Sequence, residues 1–117
     1  MISDARAKGK DANIKRDLAS IRNQAGLYQD SNGNFSTFAL GSCPTAAGSM
    51  FYDSPEIRGL IVDVRKYVVL ASDVKCSANN SSWAVSAKLQ KSGTGYWCAD
   101  ANGASKEIPG PITSFSC

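Results

Sequence analysis

The chain has 117 residues, 43% of them hydrophobic and 20% charged, with a net charge of +3. That length suits one domain, and that composition suits a packed core rather than a disordered segment. The absence of histidine excludes the commonest general base, the commonest metal ligand and every triad built on an imidazole.

The longest wholly apolar stretches, such as Gly59–Val62 and Tyr67–Ala71, are short. A bilayer helix needs roughly 20 apolar residues, so no transmembrane helix is expected. Met1–Lys10 is polar and basic and has no apolar core of a signal peptide. The charge is uneven. Residues 1–25 hold Arg6, Lys8, Lys10, Lys15, Arg16 and Arg22 against Asp4, Asp11 and Asp17, and the rest of the chain sums to zero.

Residues 3–30 read as one long helix, with Ser3 as its N-cap. Its only breakers are Gly9 and Gly26, each costing about 1 kcal/mol against alanine. Ile14, Leu18, Ile21, Ala25 and Tyr28 form a single apolar stripe. Toward the N-terminus the stripe fades, with Ala7 and Lys10 on that side. The expectation is that the later part of the helix packs on the domain. The first ten to twelve residues, about 15–18 Å of helix, would project from it.

Asp30-Ser31-Asn32-Gly33-Asn34 is a helix stop, with Gly33 suited to positive φ. Residues 35–54 read as a loop of small residues pinned by Phe35, Phe38, Cys43, Phe51 and Tyr52. Ser54-Pro55-Glu56 is a helix start, and Ile57, Leu60, Ile61 and Val64 keep helical spacing. A short helix is expected over 55–67; the alternative is that Tyr67–Leu70 opens a strand. After residue 74 the period becomes two. Trp83, Val85, Ala87 and Leu89 alternate with Ala84, Ser86, Lys88 and Gln90, as in a half-buried strand. Turn signals at 79–82, 92–95 and 101–103 separate runs near 73–77, 83–90, 95–100 and 104–108. A meander of three or four strands follows, then Pro109-Gly110-Pro111 and a tail. The fold class is α+β, a single domain with the long helix laid across an antiparallel sheet. Its parts are a helix over 1–30, a loop and short helix over 31–73, and sheet with C-terminal loop over 74–117.

Cys43, Cys76, Cys98 and Cys117 include no C-x-x-C pair, which argues against a zinc or thioredoxin-type motif. An even number of separated cysteines in a small domain reads as two disulfides and points to export. A targeting segment upstream, or already removed, is then expected. Cys117 ends the chain, and a disulfide there would keep the terminus from fraying. The favoured pairing of three is Cys43–Cys76 with Cys98–Cys117. Each bridge would add about 3–4 kcal/mol in the chain-entropy model.

Little else suggests chemistry. Asp30-Ser31-Asn32-Gly33-Asn34 and Asp100-Ala101-Asn102-Gly103 have a superficial likeness to calcium loops. Counted from Asp30, however, the EF-hand's glycine and glutamate positions hold Phe35 and Gly41. No serine has a base beside it in an elbow motif. Lys8, Lys15 and Arg22 share one helix face, but acids intersperse them and no aromatic residues interleave, so nucleic-acid binding is possible but unsupported. No catalytic residue, cofactor or metal is expected, and the chain is not expected to be an enzyme.

Three stretches carry a family resemblance. Ala5-Arg6-Ala7-Lys8, Asp17-Leu18-Ala19-Ser20-Ile21-Arg22 and Leu27-Tyr28-Gln29-Asp30-Ser31-Asn32-Gly33 resemble the exposed half of a type IV pilin helix running into its first turn. Tyr96-Trp97-Cys98-Ala99-Asp100-Ala101-Asn102-Gly103 is similar to the strand and turn near the C-terminus of many bacterial pilins. The resemblance implies a pilin-like fold and a structural role as the subunit of a surface filament serving adhesion, motility or DNA uptake. It implies an apolar helical segment upstream that anchors the subunit in the inner membrane and later packs in the filament core. The implied partners are other copies, other pilins and the assembly machinery, and the implied location is the bacterial surface or periplasm. Cys98–Cys117 would bound the surface-exposed C-terminal region. A type II secretion pseudopilin is the near alternative; a tip adhesin or ligand-binding secreted module is the alternative of another class.

Overall fold

The computed structural model describes residues 2–117, with side chains from Ala5 onward. The Ser3 cap therefore lies outside the described side chains. Helix α1 runs over Ile2–Asn32 without a break at Gly9 or Gly26. It ends as its residues dictate. Gly33 takes φ 83°, which only glycine adopts cheaply, and its N–H donates to the Gln29 carbonyl at 2.7 Å.

Strand β1 (Phe38–Ser42) and a single turn of helix α2 (Met50–Asp53) follow. Helix α3 spans Pro55–Arg65, and a 3₁₀ turn covers Ala71–Asp73. Strands β2 (Val74–Ala78), β3 (Trp83–Lys88), β4 (Tyr96–Asp100) and β5 (Ser105–Ile108) complete the chain. The fold is α+β, with one antiparallel sheet ordered β1-β2-β3-β4-β5.

Two sequence expectations need correction here. The sheet has five strands rather than three or four, and residues 35–54 are not merely a loop. Phe38-Ala39-Leu40-Gly41-Ser42 has neither alternation nor β-branched residues, so no local signal marks it. Tertiary contacts make it a strand instead. It pairs with β2 across a bulge, and Cys43 N–H donates to the Val74 carbonyl at 3.2 Å. The expectation of a helix near 55–67 fares better. The Ser54 hydroxyl accepts from Ile57 N–H at 3.2 Å and Pro55 takes the first turn, so α3 starts as predicted. It stops at Arg65, and Tyr67–Leu70 is a turn rather than a strand. The Asp73 carboxylate accepts from Leu70 N–H at 3.0 Å, which holds that turn closed.

The register decides which side chains share a face. Val74 pairs with Ala87 and Ala87 with Trp97; Cys76 pairs with Val85 and Val85 with Ala99. These side chains, with Ala78 and Trp83, meet Ile14, Leu18, Ile21 and Ala25 of α1 and Ile57, Ile61 and Val64 of α3 in one core. Phe38 and Phe51 close its edge, edge-on at 5.9 Å between ring centroids.

The alternate set, Ser77, Ala84, Ser86, Cys98 and Asp100, faces the opposite way. Residues 109–117 cover it as a strap. Ile112 is buried against Ala84 and Cys98, and its N–H donates to the Ser86 hydroxyl at 3.1 Å. The Ser77 hydroxyl donates to the Ser114 carbonyl at 2.7 Å, and the Ser82 hydroxyl to Phe115 at 2.8 Å. Every residue from Trp83 to Ala87 is consequently buried, where alternation predicts a strand with one wet face.

Candidate functional site

With no catalytic residues expected, the places where function could reside are the free end of α1, its joint with the head, the disulfides and the surface clefts. The molecule is 47 Å long but only 24 and 21 Å across. Along α1, Ala5, Arg6, Lys8, Gly9 and Lys10 are exposed and Ala7 is half-buried, while Ile14, Leu18, Ile21 and Ala25 are fully buried. The helix thus has a free arm and a docked part. The boundary falls at Asp11, where the projecting segment expected from the sequence comes to an end.

Asp11 is 6% exposed although it is charged. Its two carboxylate oxygens accept from the backbone N–H groups of Gln90 (2.6 Å) and Lys91 (3.1 Å), at the turn between β3 and β4. Charge-assisted bonds of this kind satisfy a buried carboxylate. A similar tie lies further along the helix, where Arg22 Nη2 donates to the Ala104 carbonyl at 2.6 Å, beside the β4–β5 turn. Lys15 lies over the Trp97 ring at 4.7 Å from its centroid. So two of the three basic residues that share a helix face are engaged with the head.

The cysteines form two bridges, Cys43–Cys76 and Cys98–Cys117. Cys43–Cys76 lies in the main core and holds the end of β1 against β2. Arg65, in the last turn of α3, donates from Nη2 to the Cys43 carbonyl, so α3 is tied to the same point. Cys98–Cys117 fastens the strap to β4. Asp100 serves the same end of the sheet. One of its oxygens accepts from Asn102 and Ala104 N–H, both at 3.0 Å, and the other from Cys117 N–H at 2.8 Å. Three backbone donors thus use the carboxylate in its turn. Asp30 and its neighbours, the other stretch with a likeness to a calcium loop, form the end of α1. Among the described residues, no three of His, Cys, Asp and Glu gather as metal ligands.

Among the described residues, three of the surface clefts stand out. One, about 490 Å³, lies between the last turns of α1 and the start of α3, against Leu27, Tyr28, Asp53 and Glu56. A second, about 290 Å³, is lined by Phe51, Tyr52, Arg58 and Val62. The third, about 380 Å³, lies where α1 meets the β3–β4 turn. Lys8, Lys15 and Lys91 line it, and so do Asp11 and Glu107. Its mixed charge and its two carboxylates give no strong field for a polyanion.

Asp11, Arg22 and Asp100 are polar residues that sequence reasoning missed as structural ties. For Asp11 a signal existed. It extends the spacing of Ile14, Leu18 and Ile21 by three residues toward the N-terminus, so it stands on the buried stripe. A charged residue on such a stripe marks a hydrogen-bonded hook.

No helix among the described residues is long and apolar enough to cross a membrane. The two disulfides fit an oxidising compartment, extracellular or periplasmic. A scan of protein-family models finds no match, and neither curated proteins nor solved structures yield one.

Proposed function

We propose that this chain is the head of a structural subunit in a surface filament of the type IV pilus kind, and not an enzyme. The observation that carries this reading is the division of α1. A 31-residue helix is docked by its later part, while residues 5–10 bury no large side chain. Isolated helical turns are marginal in water, so such a segment gains most from a neighbour. The polar, basic arm would run on into an apolar segment upstream that anchors the subunit before assembly and packs in the filament core afterwards. Other copies of the chain, or related subunits, are the partners.

The head supports the same reading. Its strap over residues 109–117 is bridged to β4, so this stretch is held against the sheet in an outer medium. Disulfide bonding also suits a protein that works outside the reducing cytosol. The chemistry of the role is polymerisation: helices bury one another, and heads form the outer surface.

The test is direct. Filaments sheared from the cells that make this protein are purified and digested, and their peptides are identified by mass spectrometry. Peptides covering α1 and β4 in the filament fraction are the expected result. Recovery of the protein only as a soluble monomer, with filaments composed of other chains, would reject the proposal.

A further inference from the structure

Helices α1 and α3 lie side by side on the sheet. The start of α3 borders the last turns of α1, and Asp63, near the end of α3, stands beside Arg16 and Asp17. Asp17 is only 4% exposed, and its Oδ2 is buried with no hydrogen-bond partner. A buried carboxylate oxygen with no donor is costly.

The charged groups around Asp17 are few. Arg16, on the same helix, places Nη2 3.7 Å from Asp17 Oδ1 and 3.9 Å from Asp63 Oδ2. Lys66, at the C-cap of α3, lies 3.8 Å from Asp63 Oδ1. These are loose ion contacts rather than hydrogen bonds, and the side chains of Arg16 and Lys66 are 63% and 67% exposed. Their charges are largely spent on water. Two carboxyl groups facing each other therefore lack a cation able to neutralise both. A shared proton solves the problem, because an O–H···O⁻ bond between them is short and strong.

We propose that Asp17 and Asp63 form a proton-sharing pair that closes the seam between α1 and α3 in mild acid and loosens it once Asp17 gives up its proton. Burial pushes the Asp17 carboxyl up from 3.8 to about 7; the hydrogen bond that its protonated form can give Asp63 and the Asp63 charge push the same way, and Arg16 offsets them only in part. The folded chain thus holds a proton that the unfolded chain releases. The stabilisation is complete below the ordinary value of 3.8 and is lost as pH rises through about 7. The seam lies beside the joint of arm and head, so the proton sets how firmly the head grips α1. Past α3, the turn carries the exposed Val69 and Leu70.

A carboxyl-detected NMR titration of the labelled protein tests this. The expected midpoint for Asp17 is near 7, and the Lys66 and Tyr67 amide resonances should move with the same midpoint. Asp63→Asn removes the facing charge and should lower the Asp17 midpoint by about one pH unit or more. Asp17→Asn should flatten the fall in thermal midpoint between about pH 4 and pH 7. Should Asp17→Asn fail to fold, the wild-type titration and Asp63→Asn still decide. A midpoint for Asp17 near 4, amides of α3 that do not follow it, or no response to Asp63→Asn would each overturn the proposal.

Discussion

The two parts of α1 obey different physics although one helix contains both. From Asp11 onward, every three or four residues a side chain is removed from water: Asp11 by two backbone donors, then Ile14, Leu18, Ile21 and Ala25 by the core. Before Asp11 no large side chain is buried among the described residues. The docked part is held by burial, at roughly 25 cal/mol per Å² of apolar surface. The arm is helical chiefly because it continues a helix that is already nucleated. A helix of this length is therefore no evidence that all of it stabilises the domain. Residues 5–10 are mostly exposed surface that the core does not hold.

The largest effects should come from the bridges that hold what burial alone does not. Cys43→Ser with Cys76→Ser opens a loop of 33 residues and should cost on the order of 4 kcal/mol of unfolding free energy. The Cys98–Cys117 pair, with a separation of 19, should cost on the order of 3 kcal/mol and release the strap. Denaturant unfolding of each variant measures both. A strap that stays protected from protease after the second change would show that its serine hydrogen bonds suffice.

Within α1 the contrast sharpens. Leu18→Ala should lose about 2–5 kcal/mol, since the side chain is fully buried. Asp11→Ala leaves the Gln90 and Lys91 N–H groups without their acceptor and should lose about 1–3 kcal/mol. Lys8→Ala or Lys10→Ala should change stability by less than about 0.5 kcal/mol. Parallel thermal scans check the order. Arm substitutions as costly as Leu18→Ala would abolish the distinction between the two parts. A smaller probe concerns the sheet rather than the helix. Any Cβ at Gly95 would run into the Ile108 carbonyl, so Gly95→Ala should shift β4 against β5 and cost about 1–3 kcal/mol.

Much of this was legible in the sequence, but only where hydrophobic period speaks. The stripe from Ile14 to Tyr28, the Ser54-Pro55 start and the four later strands follow from spacing and turn chemistry. The helix face of the sheet was equally plain, because Trp83, Val85 and Ala87 alternate. The strap face was not. Ser77, Ala84, Ser86 and Cys98 are small and two of them are serines, so they read as a solvent face. Yet the tail covers them through hydroxyl bonds, with one isoleucine packed among them. β1 was hidden for a related reason, since its partner β2 lies more than thirty residues away in the chain and is tied to it by a disulfide. The Asp17–Asp63 pairing depends on how α3 lies along α1, which no local pattern encodes.

The most direct measurement is amide hydrogen exchange along α1, first in the isolated protein and then in purified filaments. In isolation, residues 5–10 should exchange far faster than residues 14–25, whose opening requires loss of the core. In filaments, residues 5–10 should become protected as neighbouring subunits cover them. Protection of the arm already in the monomer, or an arm that exchanges as fast in filaments as in solution, would contradict an assembly role for the free turns of α1.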